Sequence, residues 1–83
     1  MPSSLVSGTL LNATQSNHLD FCSPTTGQVI QSTDTNAQGG YSVGLDYGKY
    51  KIKVNGGPAT SPDPLNVWKP TQTVNIDGGA YTI

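Results

Sequence analysis

His18 and Cys22 have the strongest claim to nucleophile or base chemistry, as the only histidine and the only cysteine of the chain. They stand four positions apart, and in a strand an even spacing keeps two side chains on one face, here about 13 Å apart. That is too far for a thiol–imidazole dyad, which needs hydrogen-bond contact. Cys22 is therefore read as a small buried or half-buried apolar residue, and its lone state suits a reducing compartment during synthesis. Asp34, Asn36, Gln38 and Gly39 imitate the first half of a calcium loop, but its twelfth position holds Leu45 where a bidentate glutamate is needed. The same residues fit an Asx-type turn ahead of a strand. Gly56-Gly57-Pro58 lacks the following Lys-Ser/Thr and helix of a phosphate loop. The expectation is a protein that is not an enzyme, with no catalytic residue, no metal ligand set and no cofactor.

The charges narrow the partners. Four lysines face five aspartates, and arginine and glutamate are absent. Nucleic acid is not expected, because phosphate contacts need clustered cations and guanine reading needs arginine. Lys49, Lys51 and Lys53 alternate along one segment and read as a solvated strand face that discourages wrong pairing. A membrane partner is not expected, since no stretch approaches the roughly 20 apolar residues of a span. The opening MPSSLVSGTLL lacks a basic region followed by a long apolar one, so no export address is read and synthesis in the cytoplasm is expected.

Eighty-three residues predict one domain, 1–83, with a thin core. A single cysteine cannot make an internal bridge, which leaves a metal or neighbouring chains as the staple. Strands are predicted at about 5–11, 18–23 and 28–33, separated by polar or Pro/Gly turns. Tyr41, Val43 and Leu45 then alternate with Ser42, Gly44 and Asp46, and Tyr50, Ile52 and Val54 alternate with the lysines. This period of two predicts two strands that each carry one apolar face and join as a hairpin. Gly39 and Gly48 are placed at its corners. Tyr50, two residues after Gly48, is suited to burying its ring while its hydroxyl satisfies backbone at the sheet end.

A Gly/Pro-rich loop is predicted at 55–70, long enough to cover or bind something. A last hairpin is predicted from 71–76 and 80–83 about Asp77-Gly78-Gly79, its end either cut from a longer chain or pinned by another element. Six to seven short strands and no helical period predict an all-β fold, a small antiparallel β-sandwich of transthyretin-like or Ig-like type. Trp68, Tyr47 and Tyr81 are aromatics without a clear place on the core faces, and they are the candidate interface residues.

The run Thr35-Asn36-Ala37-Gln38-Gly39-Gly40-Tyr41-Ser42-Val43, followed by Leu45, Gly48, Tyr50, Ile52 and Val54, resembles the T-D-A-N-G-x-Y-S-V-x-L-x-x-G-x-Y-x-I-x-V pattern of carboxypeptidase-regulatory-like and transthyretin-like domains. Within that group VSGTLLNAT, from Val6 to Thr14, is similar to the start of phage and prophage tail-fibre N-terminal domains. The resemblance covers about 6–54, and its signature residues are Gly39, Tyr41, Leu45, Gly48 and Tyr50. It implies a virion structural protein, an attachment domain at the base of a tail fibre; for a gene product as short as this chain, a single-domain capsid decoration or cement protein is expected equally. Its partners would be other virion proteins and further copies of itself, met through repeated interfaces. The alternative is a carbohydrate-binding module of a larger surface or secreted protein, with Trp68 stacking on sugar.

Overall fold

The computed structural model describes residues 2–83. Its strands, in chain order, are β1 (Ser3–Thr9), β2 (His18–Cys22), β3 (Val29–Asp34), β4 (Gly40–Asp46), β5 (Gly48–Val54), β6 (Gly57–Pro58), β7 (Leu65–Val67) and β8 (Thr71–Thr73), followed by a 3-10 turn at Gly79–Tyr81. They form two sheets, β4-β1-β8 and β3-β2-β5-β6, with β7 also paired to β5. The fold is a small β-sandwich in which every strand pair is antiparallel except β1 with β8.

Strand alternation explains which side chains face inward. In β4, Tyr41, Val43 and Leu45 are buried while Ser42, Gly44 and Asp46 are exposed. In β5, Tyr50, Ile52 and Val54 are buried while Lys49 and Lys51 are exposed. They meet Val6 and Leu10 from the β1 segment and Leu19 and Phe21 from β2 in one core, with the Phe21 and Tyr41 ring centroids 6.2 Å apart. Each fully buried side chain of this size contributes about 1.5–3 kcal/mol.

The hairpin expected between β4 and β5 does not form. β4 pairs with β1 and β5 with β2, so the six alternating side chains approach the core from opposite sheets. Gly48, at φ 151°, lets the chain leave one sheet and enter the other within two residues. The Tyr50 hydroxyl then donates to the Asp46 carbonyl at 2.7 Å and closes the crossing, in the manner of a tyrosine corner. The role expected of Tyr50 is thus present at a different kind of corner. Gly39, at φ 87°, makes the other turn, and the Asn36 carboxamide oxygen accepts from the backbone N–H groups of Gln38 and Gly40 at 2.9 Å, the Asx-type turn expected there.

The last expected hairpin is also replaced. Thr71–Thr73 runs parallel to β1, Ile76 bridges to Leu10, and Asp77 bridges to Ser61. The Asp77 carboxylate takes the Gly79 N–H at 2.9 Å, which winds 79–81 into the 3-10 turn in place of a strand. The region 55–70 contains β6 and β7, both on the free edge of β5. Leu65 and Val67 of β7 point inward, but three residues are too few for alternation to register as a strand. Eight strands therefore stand among the described residues where six to seven were expected, and the first begins at Ser3 and ends at Thr9.

Candidate interaction surface

Gln72 is buried in β8, and its side chain fastens the turn before it. Its amide oxygen accepts from the N–H groups of Trp68 and Lys69 at 2.7 and 3.1 Å, and its amide nitrogen donates to the Asn66 carbonyl at 3.0 Å. The backbone carrying Trp68 is held at three points while the residue itself is 60% exposed, the most exposed of the large apolar side chains among the described residues. The Lys69 ammonium stands 4.7 Å from the indole centroid and contributes a cation–π contact of about 0.5–1 kcal/mol at an exposed site. Leu5, also exposed, donates its N–H to the Pro70 carbonyl at 2.9 Å and so lies beside the same turn.

The three aromatics expected at an interface separate. The β5–β7 register sets Gly48 against Val67, and its next step puts Tyr47 and Trp68 at one end of the sandwich. Tyr47 is half-buried there against the core. Tyr81 is exposed at the far end of β5, about 20 Å away along the strand, beside Gly57, whose hydrogen points at the Tyr81 ring. Trp68 therefore stands exposed near the end of the sandwich where Tyr47 packs into the core, and Tyr81 lies at the other end.

The two sheets differ in their outward faces. Leu5, Ser7, Thr9, Ser42, Gly44, Thr71 and Thr73 line the outside of β4-β1-β8 and carry no charge, and among the described residues Asp46 at the end of β4 is the one ionised side chain on that face. A shallow open groove of about 630 Å³ runs from this face to the end of β3, lined by hydroxyls and amides such as Ser7, Thr33, Ser42, Thr73 and Asn75 and by the Asp34 carboxylate. Lysines and aspartates concentrate on the other sheet, where Lys53 pairs in register with Asp20. Small, uncharged residues on a sheet face let another surface approach without stripping water from ions.

His18 and Cys22 do not meet chemically. Cys22 is buried, and burial pushes its thiol above the usual value, with a smaller opposing pull from Lys53. His18 is exposed, with Nδ1 2.8 Å from Asp34 Oδ1 and Nε2 2.8 Å from Asp20 Oδ1. The bond to Asp34 is the main cause that raises its basicity. Ser32 donates to Asp20 at 2.7 Å, so its hydroxyl is directed to a carboxylate and away from the imidazole that would have to take its proton. Sequence reasoning missed this cluster. His18 with Asp20, and Ser32 with Asp34, each stand two apart and so share a strand face, but only the register of β2 with β3 brings the pairs together.

Next to His18 in the chain, the buried side chain of Asn17 uses all its hydrogen-bonding capacity. Its Nδ2 donates to the carbonyls of Gln15 and Ile83 at 2.8 and 3.0 Å, and its Oδ1 accepts from Asn55 Nδ2 and the Ile83 N–H, both at 2.8 Å. The Ile83 backbone is thereby held on both its carbonyl and its N–H by the Asn17 side chain. No family model matches the chain, and neither does any curated protein or solved structure.

Proposed function

We propose that this chain is a non-enzymatic assembly domain of a virus particle, acting either at the base of a phage tail fibre or as a capsid decoration protein. It works through protein–protein contacts with other virion components and with further copies of itself. The observation that carries the reading is the display of Trp68, with the backbone locked by Gln72 and the ring left in water. A rigid aromatic loses little conformational entropy on binding, which is why such residues dominate interface energies. The phage setting rests on the glycine and tyrosine spacing from Gly39 to Tyr50 and its resemblance to fibre N-terminal domains.

Surface area is compatible with repetition. A standard interface covers about 800 Å² on each partner, against a total surface of 4554 Å². One domain has room for two such contacts, the minimum for a repeating array.

The test is incorporation. In particles assembled with Trp68→Ala, the chain is expected to be depleted as measured by quantitative mass spectrometry, while the isolated variant keeps its thermal midpoint. Undiminished incorporation, or absence of the wild-type chain from purified particles, overturns the proposal. Specific retention on a glycan array that disappears in Trp68→Ala would transfer the protein to the carbohydrate-binding class.

A further inference from the structure

β3 is the outer strand of its sheet, and every residue in it is exposed or half-exposed. Val29 and Ile30 at its start are 47% and 52% exposed, so little apolar burial holds the strand in place. Its attachment depends on the ladder to β2, which carries an irregularity near Cys22, on one side-chain cluster across the pair, and on a long bond from the Thr33 hydroxyl to the Ser42 carbonyl of β4 at 3.3 Å. In that cluster His18 lies opposite Asp34 and Asp20 lies opposite Ser32.

Both ring nitrogens of His18 stand 2.8 Å from a carboxylate oxygen. Carboxylates only accept, so both contacts are hydrogen bonds only when both nitrogens carry protons, in the imidazolium form. A neutral ring keeps one N–H and turns a lone pair toward the other carboxylate. We infer that His18 is a proton-operated clasp: the imidazolium fastens the edge strand β3 to β2 through Asp20 and Asp34, and loss of its proton to solvent loosens that edge.

The charged groups around the ring are Asp20 on β2, Asp34 on β3 and, in register with Asp20, Lys53 on β5. From Asn55 the ring's residue receives only a neutral contact, as the His18 N–H donates to the Asn55 carboxamide oxygen at 3.0 Å. Cys22, whose thiol is held protonated by burial, adds no charge. Asp34 foremost raises the folded-state value of His18 above 6.5. A raised folded value means that the clasp stabilises fully below the unfolded value and is lost as pH climbs through the folded one. The strand should therefore be tightest in mild acid and loosest in mild base. Release would expose unpaired backbone on an edge with no lysine or proline to protect it, a template for pairing with another extended chain.

The experiment combines an NMR titration of the His18 ring with amide exchange protection factors for β3, from about pH 5 to about pH 9. Protection of the β3 amides that face β2 is expected to fall several-fold with the midpoint of the ring, while β5 amides hold steady. His18→Gln should give low protection with no step. In Asp34→Asn the ring keeps Asp20, and both the ring midpoint and the exchange step should move together to lower pH. Protection that stays level through the ring titration overturns the inference, as does an equal step in His18→Gln. Should His18→Gln fail to fold, Asp34→Asn decides alone, and an exchange step that does not follow the ring overturns the clasp.

Discussion

Replacing Asn17 with alanine tests whether a single buried amide holds the end of the chain onto the sandwich. Asn17 is 1% exposed and makes four hydrogen bonds, two to the Ile83 backbone, one to the Gln15 carbonyl and one from Asn55. At about 0.5–1.5 kcal/mol net for each, their loss amounts to about 2–6 kcal/mol. Water entering the vacated space can satisfy part of this, so a loss of about 3 kcal/mol is expected. A domain of this length has about 4–12 kcal/mol in total, so the variant should still fold. Its thermal midpoint should drop by about 12–24 °C, at about 4–8 °C per kcal/mol. Urea unfolding followed by tryptophan fluorescence measures the free energy, and amide exchange over 79–83 measures the local release. Because Asn55 Nδ2 donates to Asn17 Oδ1, the Asn17→Ala and Asn55→Ala effects should be sub-additive in a double-mutant cycle. A loss below about 1 kcal/mol, with exchange over 79–83 unchanged, would refute the idea that this network organises the end of the fold.

Gly39→Ala should cost several times more than Gly48→Ala by urea unfolding. Both positions have positive φ, each worth about 1–3 kcal/mol of strain, but an added Cβ at Gly39 would also press on the Leu10 carbonyl while Gly48 opens to empty space. Cys22 should resist alkylation by iodoacetamide in the folded protein at neutral pH and react rapidly in urea, since burial both hides the thiol and keeps it protonated. Rapid native-state labelling would refute that placement. Trp68→Ala should change stability by no more than about 0.5 kcal/mol, as an exposed side chain does, whereas Gln72→Leu should cost about 1–3 kcal/mol by leaving the 66–69 backbone unsatisfied. Equal costs would place Trp68 in the core.

The sequence by itself determined the inward faces. Tyr41, Val43 and Leu45, and Tyr50, Ile52 and Val54, follow from an alternation that is a local property of extended chain. The corner glycines, the Asx turn at Asn36 and the hydroxyl bond of Tyr50 were legible for the same reason, since each involves residues within four positions of one another. Tertiary structure decided everything that joins distant residues. The apparent β4–β5 hairpin is a crossing between sheets because two inward-facing strands satisfy the alternation equally well in one layer or in two, and partner choice depends on the whole core. The parallel seat of β8, the clamp of Gln72 on Trp68, the four bonds of Asn17 and the cluster around His18 all depend on register between segments far apart in the chain, and register leaves no mark in local periodicity.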